Sequence, residues 1–153
     1  MPSPCSSTFI SRCPEESLEL ARKIAAWARN GDVIALRGEL GAGKTVLAAG
    51  IGAALGIDEP ITSPTFGLIM EYKRPAGGWF FHLDLYRLDN AEQALAFGIE
   101  EYLFDTEAIT VIEWPDRIAE LLCEGTNTRF GRLCHLNIEH VDSDTRKIHF
   151  TTI

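Results

Sequence analysis

No apolar run in this sequence approaches the length of a bilayer span. The opening residues, Met1-Pro2-Ser3-Pro4-Cys5-Ser6-Ser7, hold neither a basic stretch nor an apolar one. Nothing there reads as a secretory signal, so a cytoplasmic location away from any membrane is expected. Cys5, Cys13, Cys123 and Cys134 show no CxxC spacing, which favours reduced thiols over a disulfide framework. His82, His135, His140 and His149 show no HExxH spacing, which argues against a zinc site. Basic residues are scarce too. Fourteen Lys and Arg face 22 Asp and Glu, the formal net charge is −8, and no five basic residues stand in a row. A protein that gains affinity by neutralising phosphates normally shows a basic face, so direct, tight RNA or DNA binding is disfavoured. The surplus acid serves solubility, or docking on a basic partner protein.

What is present suits one globular domain spanning residues 1–153, with 46% hydrophobic residues to fill a core. There is no internal repeat, low-complexity tract or separating linker. A short β segment at Thr8–Ile10 precedes a helix that starts at Pro14-Glu15-Glu16-Ser17. Its apolar stripe is Leu18, Leu20, Ile24, Ala25 and Trp27, and it ends near Asn30-Gly31. Val33-Ile34-Ala35-Leu36 and Ala108-Ile109-Thr110-Val111-Ile112 are continuous apolar runs, as expected of buried parallel strands. Between them come a helix from Lys44 to Leu55, a loop at Thr62-Ser63-Pro64-Thr65, and a hairpin over 66–72 and 79–83. A helical stretch then spans Ala91 to Tyr102, broken at Gly98. A helix over 116–123 and two strands facing each other across Asp142-Ser143-Asp144 complete the chain. The mixture predicts an α/β fold of three layers, with a mixed, partly parallel sheet between helices.

Gly38-Glu39-Leu40-Gly41-Ala42-Gly43-Lys44-Thr45 matches the phosphate-binding pattern GxxxxGK[ST] in full, between a predicted strand and a predicted helix. Glycines let successive backbone N–H groups turn inward around phosphates. Lys44 supplies a charge to the β and γ phosphates, and Thr45 a hydroxyl to Mg²⁺. The helix aims its positive end at the anion. Gly41, Ala42, Gly43, Lys44, Thr45 and Val46 are therefore the expected nucleotide contacts, with ATP and Mg²⁺ as ligands. Such a site needs a carboxylate at a neighbouring strand end, and both Asp84 and Glu113 follow buried runs there. One would hold metal while the other orients or deprotonates water, and the residues alone leave the two roles open. Trp114, before Pro115, is biased towards extended backbone, and its ring is either an adenine platform or core. Ser63-Pro64-Thr65 offers a switch loop whose Thr65 hydroxyl would sense the γ-phosphate.

Four elements then coincide in order and spacing: the phosphate loop, Ser63-Pro64-Thr65-Phe66, His82-Leu83-Asp84-Leu85-Tyr86-Arg87 and Glu113-Trp114-Pro115. Together they resemble the bacterial TsaE family, formerly YjeE, over about Ile34 to Pro115. The resemblance implies a P-loop fold, Mg-ATP hydrolysis, and work beside a TsaD-like transferase and a TsaB-like partner. Those proteins place N6-threonylcarbamoyladenosine at position 37 of tRNAs reading ANN codons. The ATPase supports that cycle and meets tRNA only indirectly. By similarity Thr45 and Glu113 contact Mg²⁺, Asp84 takes the Walker B position, Trp114 lies at the adenine, and Arg146 matches a C-terminal nucleotide-site arginine. Hydrolysis is expected to be slow alone and stimulated by the partners. The competing readings are a small-molecule kinase and a non-hydrolysing nucleotide switch. Against the kinase, Asn90 to Tyr102 contains no Lys or Arg that could form a basic lid.

Overall fold

In the computed structural model, residues 5–64, 67–123 and 131–152 are described, and Thr65 lies outside them. Seven strands form one sheet in the order β1-β7-β6-β2-β5-β4-β3. They are β1 (Ser6–Ser11), β2 (Val33–Arg37), β3 (Ile69–Lys73), β4 (Trp79–Asp84), β5 (Ala108–Glu113), β6 (Leu133–His140) and β7 (Arg146–Thr152). The four central strands, β6, β2, β5 and β4, run parallel, while β7, β1 and β3 join antiparallel. The mixed sheet expected from sequence is present, and its continuous apolar runs are its buried centre.

Alternation along the strands divides the core into two layers. Ile34, Leu36, Ile109, Val111 and Leu136 pack on one face against α1 (Pro14–Trp27) and α2 (Lys44–Ala54). Val33, Ala35, Ala108, Ile112 and Leu133 pack on the other, against α3 (Ala91–Ala96), α4 (Ile99–Leu103) and a 3-10 helix, Pro115–Leu121. On α1 the buried stripe is Leu20, Ala21, Ile24 and Ala25. Leu18, expected within it, sits at the edge of that arc beside Gly50 of α2 and is 39% exposed. The break between α3 and α4 is Gly98 in left-handed conformation, as its position in the sequence suggested.

One departure bears on the site. Trp114 is not extended: its φ of 60° and ψ of 52° are left-handed, and it is the single non-glycine residue of that kind among those described. The pre-proline bias acts on an isolated dipeptide. Here β5 must end and a 3-10 helix must begin at Pro115, so the reversal falls on Trp114.

The lower end of the sheet is closed by a buried ion pair. Asp32, 3% exposed, accepts hydrogen bonds from the Arg29 and Arg132 amides and from the Arg132 guanidinium, with Nη2 at 2.7 Å. That guanidinium also covers the Trp27 ring at 3.9 Å. The pair ties β2 to β6, 100 residues apart in the chain. Asp32→Ala leaves two amides without their acceptor and a partly buried guanidinium bonded only to the Trp27 carbonyl, and should lower unfolding free energy by about 2–3 kcal/mol. Urea denaturation of the two proteins reads this directly.

Candidate functional site

The site lies at the carboxyl edge of β2, β5 and β4, where ligands of open α/β sheets bind. β2 ends at Arg37, and the loop 38–43 leads into α2 at Lys44. Gly38 is required by close approach, since a Cβ there would stand 2.8 Å from the Ile138 carbonyl of β6. Gly43 is required by its φ of 104°, and a Cβ on it would meet nothing within 4 Å. The loop is therefore pressed against β6 on one side and open on the other, as a phosphate cradle needs.

Lys44 is 5% exposed. Its ammonium donates to the Gly38 and Glu39 carbonyls at 2.6 and 2.9 Å and lies 4.1 Å from the centre of the Trp114 ring. Burial pushes its pKa below the ordinary lysine value, with Glu113 and Asp84 pulling the other way. Thr45, on the first turn of α2, donates to Glu113 Oε1 and Oε2 at 2.9 and 3.1 Å and bonds Ser63 Oγ at 3.0 Å. Asp84 and Glu113 are direct partners in the parallel β4–β5 pairing. The two acids expected from separate strand ends thus share one edge. Asp84 accepts from the Tyr86 amide at 3.1 Å. Burial raises its pKa above the usual carboxylate value, with neighbouring Glu113 adding to the rise.

Oxygen donors on Thr45, Glu113 and Asp84 are the set that a hard divalent cation such as Mg²⁺ takes, usually with several waters retained. Thr45 already touches the Glu113 carboxylate, so the residues present fit such an ion.

Beyond the loop, the cavity lined by Lys44, Thr45, Asp84, Glu113 and Trp114 shares Gly43 and Val46 with a cleft of about 180 Å³. That cleft is lined by Ser11, Cys13, Ser17, Leu47 and Arg146, among others. Arg146 Nε donates to the Ala42 carbonyl at 3.1 Å, which places the C-terminal arginine against the phosphate loop. Its position is set by the β6–β7 turn, where Asp142 Oδ1 accepts the Asp144 and Thr145 amides at 3.0 and 2.9 Å. Gly41, Ala42, Gly43, Lys44, Thr45, Val46 and Arg146 are all brought together. Trp114 is brought to the Lys44 end of the cavity, beside Tyr86 at 5.1 Å between ring centres. Four polar side chains at the site had no role assigned from sequence. Ser63 had been read only as part of the loop. His82, which opens the His82-to-Arg87 element, lies two residues before Asp84 on the same face of β4. Ser11 and Ser17, bonded at 2.7 Å, carry no local signal.

Comparison with known proteins places the chain in a family. The family model "Threonylcarbamoyl adenosine biosynthesis protein TsaE" matches residues 11–148. A tRNA threonylcarbamoyladenosine biosynthesis protein TsaE from Bacillus subtilis is 36% identical over 140 residues, covering 92% of this chain and 82% of its own. One from Mycobacterium bovis is 38% identical over 139 residues, covering 86% and 79%. The crystal structure of Bacillus subtilis YdiB superposes with a TM-score of 0.78 at 29% identity, covering 100% of this chain and 89% of that one.

The raised Asp84 value has a stability consequence. Because the folded pKa exceeds the unfolded one, the cost of its buried charge is present at neutral pH. That cost is relieved as pH falls through the raised value. Asp84→Asn keeps an acceptor for the Tyr86 amide and removes the charge. The nucleotide-free variant should melt above the parent at neutral pH, with the gap closing on acidification. Thermal melts over a pH series would show it, and a gap constant with pH would refute it.

Proposed function

This chain belongs to the TsaE family, and on that footing we propose that it binds and hydrolyses Mg-ATP in support of tRNA threonylcarbamoyladenosine biosynthesis. The observation that carries the reading is the contact of Thr45, on the phosphate-loop helix, with Glu113 at the end of β5, with Asp84 as its strand partner. Phosphates are taken by the loop amides from Gly41 to Thr45. The Lys44 ammonium exchanges the Gly38 and Glu39 carbonyls for phosphate oxygens. Thr45 and Glu113 would hold Mg²⁺, and Asp84, in the Walker B position, would complete the site. The metal, when bound, neutralises phosphate charge. The base occupies the cleft beside Cys13, Val46 and Arg146, because Trp114 stands at the lysine end of the loop. On this reading Trp114 serves the phosphates, in place of the adenine role implied by the resemblance.

Residues 1–153 act as one P-loop domain in the cytoplasm, beside a TsaD-like transferase and a TsaB-like partner. No helix among the described residues is long and apolar enough to cross a membrane. The net charge of −8 suits a component that leaves tRNA to its partners. The cations brought to the loop, Lys44 and Arg146, already bond backbone carbonyls. A cation supplied by a partner can be worth about 10³–10⁵ in rate.

Phosphate release should therefore be slow for the isolated chain and rise with both partners. Lys44→Ala should lose ATP binding, whereas Glu113→Ala should keep the ATP binding seen in EDTA and lose the stimulated rate. Unchanged ATP affinity in Lys44→Ala would end this reading, and phosphate transfer to a small acceptor would replace it with a kinase. The placement of Trp114 is tested by emission. Tripolyphosphate, which has no base, should perturb tryptophan fluorescence in the parent but not in Trp114→Phe.

A further inference from the structure

The strand face that carries Asp84 and Glu113 bears one more polar side chain. Along β4, Phe80, His82 and Asp84 point to the α2 side, as Ile109, Val111 and Glu113 do along β5. Phe80 is core and Asp84 is at the edge; His82, between them, is fully buried. Its Nε2 donates to Glu113 Oε2 at 2.7 Å. Its Nδ1 has no hydrogen-bond partner among the described residues. A buried imidazole with one nitrogen unsatisfied is costlier than the apolar residue this face otherwise carries. Its compensation is the bond to Glu113.

We propose that His82 is a positioning residue that locks the Glu113 carboxylate beside Thr45 and so sets how tightly the site holds its divalent cation. The inference rests on the metal reading above and concerns a residue that reading does not use. Glu113 is 3% exposed, and its two carboxylate oxygens are divided between two neighbours. His82 fixes Oε2, while Oε1, at 2.9 Å, is the oxygen nearer to Thr45. With Oε2 fixed, the carboxylate cannot swing from the threonine when the hydroxyl turns a lone pair towards a cation. His82 is itself held by ladders on both sides, paired with Val111 of β5 and Met70 of β3. Partners that orient a metal-binding carboxylate typically contribute about 10–100-fold to metal affinity.

ATP binding is measured by calorimetry in EDTA and at graded Mg²⁺ for the parent, His82→Leu, His82→Gln and His82→Asn. Expected for His82→Leu is an ATP affinity in EDTA like the parent's, with the Mg²⁺ midpoint raised about 10–100-fold. The glutamine amide reaches the Nε2 position and should restore most of the shift; the shorter asparagine should not. In a Glu113→Ala background, His82→Leu should add no further shift. A parent-like Mg²⁺ midpoint in His82→Leu, or an equal shift with and without Glu113, overturns the proposal. Should the leucine variant fail to fold, equal midpoints for glutamine and asparagine overturn it instead. A parent whose ATP binding ignores Mg²⁺ overturns the metal reading, and His82's role with it. Loss of ATP binding in EDTA by His82→Leu alone would mark a structural role and also refute it.

Discussion

Glu113 is a carboxylate carried to the end of a strand whose six residues are all buried, and the site depends on keeping it there. Taking an ionised carboxyl out of water costs several kcal/mol unless hydrogen bonds replace the lost solvent. The replacements come from two directions, Thr45 on α2 and His82 on β4. Each in turn needs its own element at the correct height. β2 and β5 pair with Leu36 opposite Glu113, so the loop that follows β2 starts level with the acid. β4 and β5 pair with Asp84 opposite Glu113, so the second acid ends at the same edge. A slip of one residue in either pairing would turn the polar groups to the α3 face and leave Glu113 buried without a donor. The sheet register and the site are thus one constraint.

Much of this was legible before the structure. Parallel strands buried on both faces are near-continuous apolar runs, which is why β2 and β5 stood out. The phosphate loop has a full motif, and Asp84 and Glu113 follow directly from where those runs stop. The helix break at Gly98 and the turn at Asp142 have local chemistry that names them. What escaped is what only tertiary pairing creates. His82 becomes informative once β4 lies beside β5 and its ring meets a carboxylate 31 residues away. Ser11 and Ser17 line the cleft because β1 pairs with the C-terminal strand β7, a contact between opposite ends of the chain. Leu18 was misplaced because a helix buries an arc, and an apolar residue can lie at the edge of that arc.

Trp114 shows a local rule yielding to the site. An extended Trp114 would send its side chain to the face opposite that of Glu113. The left-handed turn instead lays the ring over Lys44 while Pro115 starts the next helix. A bulky residue in that region costs on the order of 1–3 kcal/mol and persists only when its surroundings hold it. The proline after it, Tyr86 beside it and the ammonium under it do so here. The ring also keeps water from one side of Lys44, and burial is the main cause of that lysine's lowered pKa.

That lowering sets a tension that, on the metal reading, nucleotide and metal would relieve together. Lys44 is the loop's one ammonium, while Asp84 and Glu113 both act on it electrostatically. A bare triphosphate entering this cavity meets two carboxylates for each lysine, and Arg146 is already bonded to Ala42 and the β6–β7 turn. On the metal reading, a divalent ion held by Thr45 and Glu113 would reverse the sign of the field the phosphates meet. Binding of the two is then coupled, and linkage makes the coupling reciprocal: whatever factor Mg²⁺ adds to ATP affinity, ATP adds to Mg²⁺ affinity. On that reading, the same acids that disfavour a bare anion at the loop would favour a nucleotide carrying its metal.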